Sequence, residues 1–293
     1  MESRHVRTDP DTQVLVQTQR PQNPRAEIAF VHGLEGGGDA GYIVSMAHAC
    51  LSAGFVTHRF HMRTCGGTGH LTNTLYHAGL TSDLRTFLEQ REGPRRPVFL
   101  VGFSLGGNVV LKLAGELGDT APELISGVCA ISTPIDLGAC ARRIGERDNY
   151  LYERRFVQRM RSRLIATGRY TEAQFRNART IYAIDDQLTA PSFGFGTADR
   201  YYETQSAKRF LDRIRVPTLL IQAKDDTFIP FATFSHPAFG SNPHLTLVAT
   251  EYGGHLGFLQ RKGRRFWLDE TVTEWVDARL AAAIHSVEAA RLN

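Results

Sequence analysis

A serine between two glycines is the clearest chemical signal in the sequence. The run GFSLG occupies residues 102–106 and places Ser104 at its centre. An apolar run at 97–101 precedes it and a helix-like run at 108–114 follows it. A G-x-S-x-G run between a strand and a helix is typical of a nucleophile elbow, a sharp turn that exposes the serine hydroxyl. We therefore expect Ser104 to act as a nucleophile, with both glycines required because a Cβ there would collide with the adjacent strand or helix.

A serine hydroxyl attacks a carbonyl carbon only with a base to take its proton and a carboxylate to orient that base. When the serine lies in a nucleophile elbow, the acid and then the histidine follow it along the chain. His255 is the candidate base, because it lies in a glycine-rich segment after the last predicted strand. The acid is Asp225 or Asp226, just beyond another predicted strand. We favour Asp226, since the TFIP run after it resembles the run after the triad aspartate of many hydrolases. Asp225 is then a turn residue that satisfies local amides.

The negatively charged oxygen that forms during such an attack needs backbone N–H donors. One donor is expected from Leu105, the residue after the nucleophile, and the other from Leu34 in the glycine-rich loop at 32–38. We expect His32 to support this loop by hydrogen bonding rather than to take part in the chemistry. A site of this kind requires no cofactor and no metal ion.

The elements that must position these residues alternate along the chain. Helical patterns at 41–53, 82–91 and 265–290 accompany seven predicted strands, at 13–17, 27–31, 55–60, 98–101, 127–131, 218–222 and 245–249. Strands that alternate with helices predict a mostly parallel sheet covered by helices on both faces. The alternation stops between 136 and 216, where helical patterns occur without a convincing strand. We interpret 136–216 as a helical cap inserted into a single domain that spans residues 1–293.

The composition is that of an ordinary globular protein, with 42% hydrophobic and 22% charged residues. The net charge of +4 is too small to imply a nucleic-acid partner. No run approaches the roughly 18 apolar residues that a transmembrane helix needs, and no secretory signal is visible at the N-terminus. The four cysteines show no disulfide spacing. We therefore expect reduced thiols and a cytoplasmic location.

Several other residues could carry chemistry, but a structural role is the simpler interpretation for each. His58, His61 and Cys65 do not indicate a metal site, because positions 58 and 61 face opposite sides of a strand. Cys65 is not expected to be a second nucleophile. Arg63 is expected to hold its loop through paired hydrogen bonds. Five aromatic residues are candidates either for an acyl-binding pocket or for the core, namely Tyr150, Tyr152, Phe156, Phe193 and Phe195.

An arginine-rich segment lies within the predicted cap. Residues 142–163 contain eight arginines and three acids. One interpretation is a solvated helix face, with Val157, Met160 and Leu164 turned inward. The alternative is contact with anionic lipid headgroups at a membrane surface, or with an acidic acyl carrier.

Six segments in order give the chain a family resemblance. They are HGLEGG at 32–37, HMRTCGG at 61–67, YHAGLTSDL at 76–84, GFSLGGNVVLKLAGE at 102–116, AKDDTFIP at 223–230 and GGHLGF at 253–258. Together they resemble the YheT-like family of α/β-hydrolases. One departure is Thr227, where that family commonly has proline. As a second departure, we expect no N-terminal membrane anchor of the kind found in animal relatives.

The resemblance implies an α/β-hydrolase fold and a triad of Ser104, Asp226 and His255. It also implies esterase, lipase or thioesterase activity, with alcohol acyltransferase activity in some eukaryotic relatives. We expect a serine carboxylesterase for short- to medium-chain acyl esters that works through an acyl-enzyme. The alternatives are an acyltransferase or thioesterase with the same acyl-enzyme and, more remotely, a non-catalytic binding protein on a hydrolase scaffold.

Overall fold

One sheet organises the computed structural model, which describes residues 1–261 and 265–292, with side chains described as far as residue 282. Within these residues the strand order is β1-β2-β4-β3-β5-β6-β7-β8. The strands are β1 (Glu2–Asp9), β2 (Thr12–Gln19), β3 (Ala26–Val31), β4 (Phe55–Phe60), β5 (Val98–Phe103), β6 (Gly127–Ile131), β7 (Thr218–Ala223) and β8 (Leu245–Thr250). The β1–β2 and β2–β4 pairs are antiparallel and the others are parallel. The predicted fold class is confirmed.

Helices cover both faces of this sheet. They are α1 (Gly41–Ser52), α2 (Ser82–Glu89), α3 (Leu105–Leu117), α4 (Ala121–Leu124), α5 (Leu137–Ile144), α6 (Tyr150–Ala166), α7 (Ile181–Ile184), α8 (Ala190–Ser192), α9 (Ala198–Gln205), α10 (Ala238–Ser241) and α11 (Trp267–Leu292). Neighbouring residues of β3 point to opposite faces. Phe30 packs in the apolar cluster with α1 and α11, and Val31 packs in the cluster with α2 and α3.

The first strand is the one that the sequence pattern did not indicate. Of its eight residues only Val6 is buried, because β1 lies at the edge of the sheet. A strand with one buried side chain has neither a continuous apolar run nor a clear alternation, and these are the two patterns from which strands are predicted. The seven predicted strands all coincide with observed strands.

The chain between β6 and β7 contains α5 to α9, which we call the cap helices. The residues of this connection are all described and contain helices and turns but no strand. Buried side chains of the cap helices, including Leu164, Ile184 and Ala198, join the apolar cluster that contains α3. The cap helices therefore lie on the α3 side of the sheet and cover the carboxyl end of β5, where α3 begins.

Candidate active site

Ser104 occupies a strained turn between β5 and α3. Its φ of 50° and ψ of −121° lie in a region that residues other than glycine rarely adopt. The Ser104 N–H donates to the carbonyl of Ile131 at 2.8 Å, which ties the turn to β6. A Cβ on Gly102 would overlap the carbonyl oxygen of Gly106, and a Cβ on Gly106 would overlap backbone of β3. Both glycines are thus sterically required.

The three residues proposed as a triad lie within hydrogen-bonding distance of one another. His255 Nε2 is 2.9 Å from Ser104 Oγ, and His255 Nδ1 is 2.9 Å from Asp226 Oδ2. The Asp226 carboxylate also accepts hydrogen bonds from the backbone N–H groups of Phe228 and Ile229. Because the carboxylate accepts from Nδ1–H, Nε2 is left to accept the proton of the serine hydroxyl. The arrangement can remove a proton from Ser104 and stabilise the resulting imidazolium.

Asp225 has a different partner. Its Oδ1 accepts a hydrogen bond from the backbone N–H of Gly254 at 2.8 Å. Asp225 lies in a turn as expected, but the amide that its side chain satisfies is not local, since Gly254 lies 29 residues further along the chain. The two neighbouring aspartates together join the loop after β7 to the loop of His255, one through the imidazole and the other through the backbone.

The backbone of the loop at 32–38 lies directly against the nucleophile. A Cβ on Gly33 would be 3.1 Å from Ser104 Cβ and 3.6 Å from Ser104 Oγ. Leu34 and Leu105 line the same cavity as Ser104 and His255. In the described part of the chain, neither the Leu34 N–H nor the Leu105 N–H donates to a protein acceptor. Both amides are thus available for an oxyanion near Ser104 Oγ.

The imidazole of His32 holds this loop through two hydrogen bonds. Its Nε2 accepts from the backbone N–H of Met62 at 3.1 Å, so its Nδ1–H donates to the carbonyl of Gly33 at 2.8 Å. Burial lowers the pKa of His32 to about 3, which keeps the imidazole neutral and this pair of hydrogen bonds intact. These contacts position the loop and leave no free ring nitrogen for chemistry.

Glu35, the residue after Leu34, forms a buried ion pair that the sequence did not reveal. The Arg163 guanidinium of α6 donates to the Glu35 carboxylate at 2.7–3.0 Å, and only 14% and 3% of the two side chains are exposed. Arg159 donates to the Glu35 carbonyl, and the Glu35 N–H donates to the Tyr76 hydroxyl. Glu35 itself has a φ of 55°. Three residues from outside the loop therefore hold the residue next to the proposed oxyanion donor.

Arg163 is an exception to the interpretation of residues 142–163 as a solvated helix face with Val157, Met160 and Leu164 turned inward. Val157 is partly buried against the apolar core. Met160 and Leu164 are buried as expected, and Arg163 lies on the same inward side of α6. The helical spacing contained the signal, because positions 160, 163 and 164 fall on one face. Glu35 could have been noticed as well, because it is the single acid within the glycine-rich loop at 32–38.

A largely apolar cavity opens above Ser104. The space between its lining side chains is about 820 Å³, including the part open to solvent. The sheet side contributes Leu105, Phe228 and Ile229, and the cap helices contribute Leu137, Phe156 and Leu164. Such a lining suits an acyl chain better than a charged ligand. Of the five aromatic candidates Phe156 lines the cavity, Phe193 and Phe195 pack against His77, and Tyr150 and Tyr152 are exposed.

Polar groups also reach this cavity from the cap helices. Asp185 accepts a hydrogen bond from the Tyr202 hydroxyl at 2.7 Å. Burial raises the pKa of Asp185 to about 6, and the hydrogen bond from Tyr202 opposes that rise. His77 lines the same cavity, and burial lowers its pKa to about 3, so this imidazole is neutral.

The remaining candidates have structural partners. Arg63 donates to both carboxylate oxygens of Asp83 at 2.6–2.7 Å, which are paired hydrogen bonds of the expected kind. Burial raises the pKa of the Cys65 thiol to about 12, so a thiolate does not form there near neutral pH. His58 contacts Glu27 and Thr18. Among the described residues, no group of three or more potential ligands is placed to hold a metal ion.

Comparison with known proteins identifies the family. Residues 28–262 match the family model of the α/β-hydrolase fold. The protein YheT of Escherichia coli strain K12 is 31% identical over 90% of this chain and 79% of its own length. The chain belongs to the YheT-like α/β-hydrolases. It is a hydrolase of the esterase and lipase type.

More distant relatives extend the comparison. The mouse protein Phospholipase ABHD3 is 28% identical over 80% of this chain, and the chain spans 59% of that longer relative. The structure of the Pyrococcus furiosus esterase Pf2001 superposes with a TM-score of 0.63 at 15% identity, over 94% of this chain and 92% of the esterase. That likeness establishes the fold alone. In the part of the α/β-hydrolase chain described here, no helix combines the length and apolar character needed to cross a bilayer.

Proposed function

We propose that this α/β-hydrolase is a serine carboxylesterase that cleaves short- to medium-chain acyl esters. The observation that supports this most directly is the hydrogen-bonded series Ser104–His255–Asp226 at the end of a strained elbow. Ser104 Oγ attacks the ester carbonyl carbon while His255 Nε2 takes its proton. Asp226 keeps the imidazole in the correct tautomer and stabilises its charged form.

The backbone N–H groups of Leu34 and Leu105 would hold the negatively charged oxygen of the tetrahedral intermediate. Preorganised donors of this kind typically contribute about 100- to 1000-fold to the rate. Collapse of the intermediate breaks the ester C–O bond, and His255 returns its proton to the leaving alkoxide. A water molecule, deprotonated by the same histidine, then attacks the acyl-enzyme and releases the acid.

The acyl group fits the apolar cavity beneath the cap helices. Leu137, Phe156 and Leu164 would contact the chain there, and each buried methylene contributes about 0.8 kcal/mol to binding. This supports an ester of an apolar acid over an ester of a charged one.

The test is hydrolysis of p-nitrophenyl esters from acetate to palmitate by the wild type and by Ser104→Ala. We expect kcat of Ser104→Ala to fall by about 10⁵-fold or more, because removing the nucleophile of a triad removes nearly all of its catalysis. Ser241→Ala, which alters an exposed serine of α10, should keep the wild-type rate. The acyl-chain length that the wild type hydrolyses fastest would indicate the length of the acyl-binding cavity.

Two results would count against the proposal. Equally slow hydrolysis by the wild type and Ser104→Ala, together with no labelling of Ser104 by a fluorophosphonate, would favour the non-catalytic binding protein. Formation of new esters in the presence of glycerol or ethanol, in place of free acid, would assign the acyl-enzyme to an acyltransferase.

A further inference from the structure

The outward side of α6 differs sharply from its inward side. Positions 151, 154, 155 and 158 follow helical spacing and are all exposed, whereas Glu153, Met160 and Leu164 are buried. Three consecutive large side chains at the start of α6 are exposed to solvent, namely Tyr150 at 58%, Leu151 at 75% and Tyr152 at 52%. Apolar side chains this exposed, grouped at one end of a helix, are unusual without a partner.

Cations surround this exposed group without matching acids. Arg143 pairs with Asp148, Arg161 pairs with Glu172 and Arg163 pairs with Glu35. Arg142 pairs with Asp199. Among the described residues, no carboxylate lies within ion-pair distance of Arg147, Arg154 or Arg155. We call the set of exposed side chains the basic aromatic surface, and it consists of Arg147, Tyr150, Leu151, Tyr152, Arg154 and Arg155.

The basic aromatic surface adjoins the candidate active site. The Tyr152 ring lies 4.9 Å from the Phe228 ring, and the Phe228 ring lies 4.7 Å from the His255 imidazole. The Asn149 side chain donates to the carbonyl of Thr227 at 2.8 Å, which fixes the start of α6 beside the loop of Asp226. Phe156, one helical turn after Tyr152, lines the cavity. The surface is thus continuous with the cavity above Ser104.

We propose that the basic aromatic surface docks the protein on an anionic lipid membrane and presents lipid esters to the cavity. Arginines are attracted to anionic headgroups, and tyrosine and leucine side chains enter the boundary between headgroups and acyl chains. An acidic carrier protein would pair with the arginines but would leave the exposed apolar side chains without a partner. A lipid surface accounts for both, and we therefore favour it. Docking itself does not depend on catalysis, whereas presentation of esters rests on the function proposed above.

The experiment measures co-sedimentation of the full chain with vesicles, in the Ser104→Ala background so that no lipid is hydrolysed. Vesicles are made of phosphatidylcholine alone or of an equimolar mixture with phosphatidylglycerol. We expect binding to the mixed vesicles that weakens with added salt, and little binding to phosphatidylcholine. The combined variant Leu151→Ser, Arg154→Glu, Arg155→Glu should bind the mixed vesicles at least about tenfold more weakly.

A charge-matched control separates this surface from the net charge of the protein. Arg95→Glu combined with Arg213→Glu removes as much positive charge, but at exposed residues before β5 and β7, at the opposite edge of the sheet from the site. This control should bind mixed vesicles as the wild type does. In a wild-type Ser104 background, all variants should hydrolyse soluble p-nitrophenyl butyrate equally, which keeps docking distinct from catalysis.

Three outcomes would overturn the proposal. The first is equal loss of vesicle binding by the control, which would reduce the effect to net charge. The second is absence of binding to mixed vesicles at low salt, including a case in which the protein binds an acidic acyl carrier instead. The third is loss of butyrate hydrolysis in the Leu151, Arg154 and Arg155 variant, which would mean that the changes disturb the site itself.

Discussion

The two sides of the cavity are built by different means. On the sheet side, Ser104, Asp226 and His255 follow the ends of the parallel strands β5, β7 and β8, and hydrogen bonds of backbone groups hold the loops that carry them. On the cap side, α5 to α9 reach the cavity through side chains, both by apolar packing and by buried polar pairs. The backbone of the sheet side thus positions the proposed catalytic residues. The side chains of the cap helices form the region that would select the acyl group.

One contact joins the two sides. Glu35 belongs to the loop of the proposed oxyanion donor Leu34, and Arg163 belongs to the cap helix α6. Their ion pair is almost fully shielded from water, so its loss would leave a charge buried alone. The cap helices therefore support the backbone on which the chemistry would depend, in addition to covering it.

After Ser104→Ala, the largest effect is expected on the sheet side, from Asp226→Asn. An asparagine amide cannot stabilise an imidazolium and favours the wrong tautomer of His255, so kcat on a p-nitrophenyl ester should fall by about 10⁴-fold. Asp225→Asn is the matched control, since it weakens only the hydrogen bond from Gly254. Its kcat should fall by less than about tenfold. A larger loss in Asp225→Asn than in Asp226→Asn would reverse our assignment of the acid.

The next largest effect concerns the ion pair of Glu35 and Arg163, which connects the sheet side to the cap side. Arg163→Met should lower the free energy of unfolding by about 3–5 kcal/mol in urea denaturation, because it leaves the Glu35 carboxylate buried without a counter-charge. Arg161→Met, which breaks an exposed pair with Glu172 on the same helix, should cost less than about 1 kcal/mol.

A second change distinguishes a buried charge from lost packing. Adding Glu35→Gln to Arg163→Met removes the isolated charge and should recover much of the stability. Equal destabilisation by Arg163→Met and Arg161→Met would show that the ion pair does not connect the cap helices to the loop.

The smallest effect is on the pH dependence of the free energy of unfolding. Asp185 on the cap side and His32 on the sheet side contribute to it with opposite signs. Because the pKa of Asp185 rises from 3.8 to about 6, its contribution to stability is complete below pH 3.8 and is lost as the pH rises through 6. His32 behaves in the reverse way, since its pKa falls from 6.5 to about 3 and its contribution is lost as the pH falls below 6.5.

Asp185→Asn should therefore flatten the stability profile between pH 4 and 8, by about 1–3 kcal/mol in the free energy of unfolding. Thermal or urea unfolding across this range measures the effect, with the exposed Asp212→Asn as control. A profile that Asp185→Asn leaves unchanged would mean that folding does not raise the pKa of this carboxyl.

Much of the sheet side could be predicted because its information is local. A buried parallel strand is a continuous apolar run, and a nucleophile elbow is recognised from a pentapeptide between a strand and a helix. Strand β1 was missed because a single buried residue, Val6, leaves no such pattern. The cap side was less predictable, since helical spacing shows which residues turn inward but not what they meet.

The sequence alone determined the fold class, the chain order of a serine, an acid at 225 or 226 and His255, and the helical character of the connection between β6 and β7. These follow from short-range patterns and from the rule that parallel strands bring their carboxyl ends to one edge. Only the tertiary structure decided that Asp226 faces His255 while Asp225 binds Gly254, and that Arg163 meets Glu35 instead of water. Such partners are far apart in the chain, so their pairing depends on how whole elements pack rather than on any local pattern.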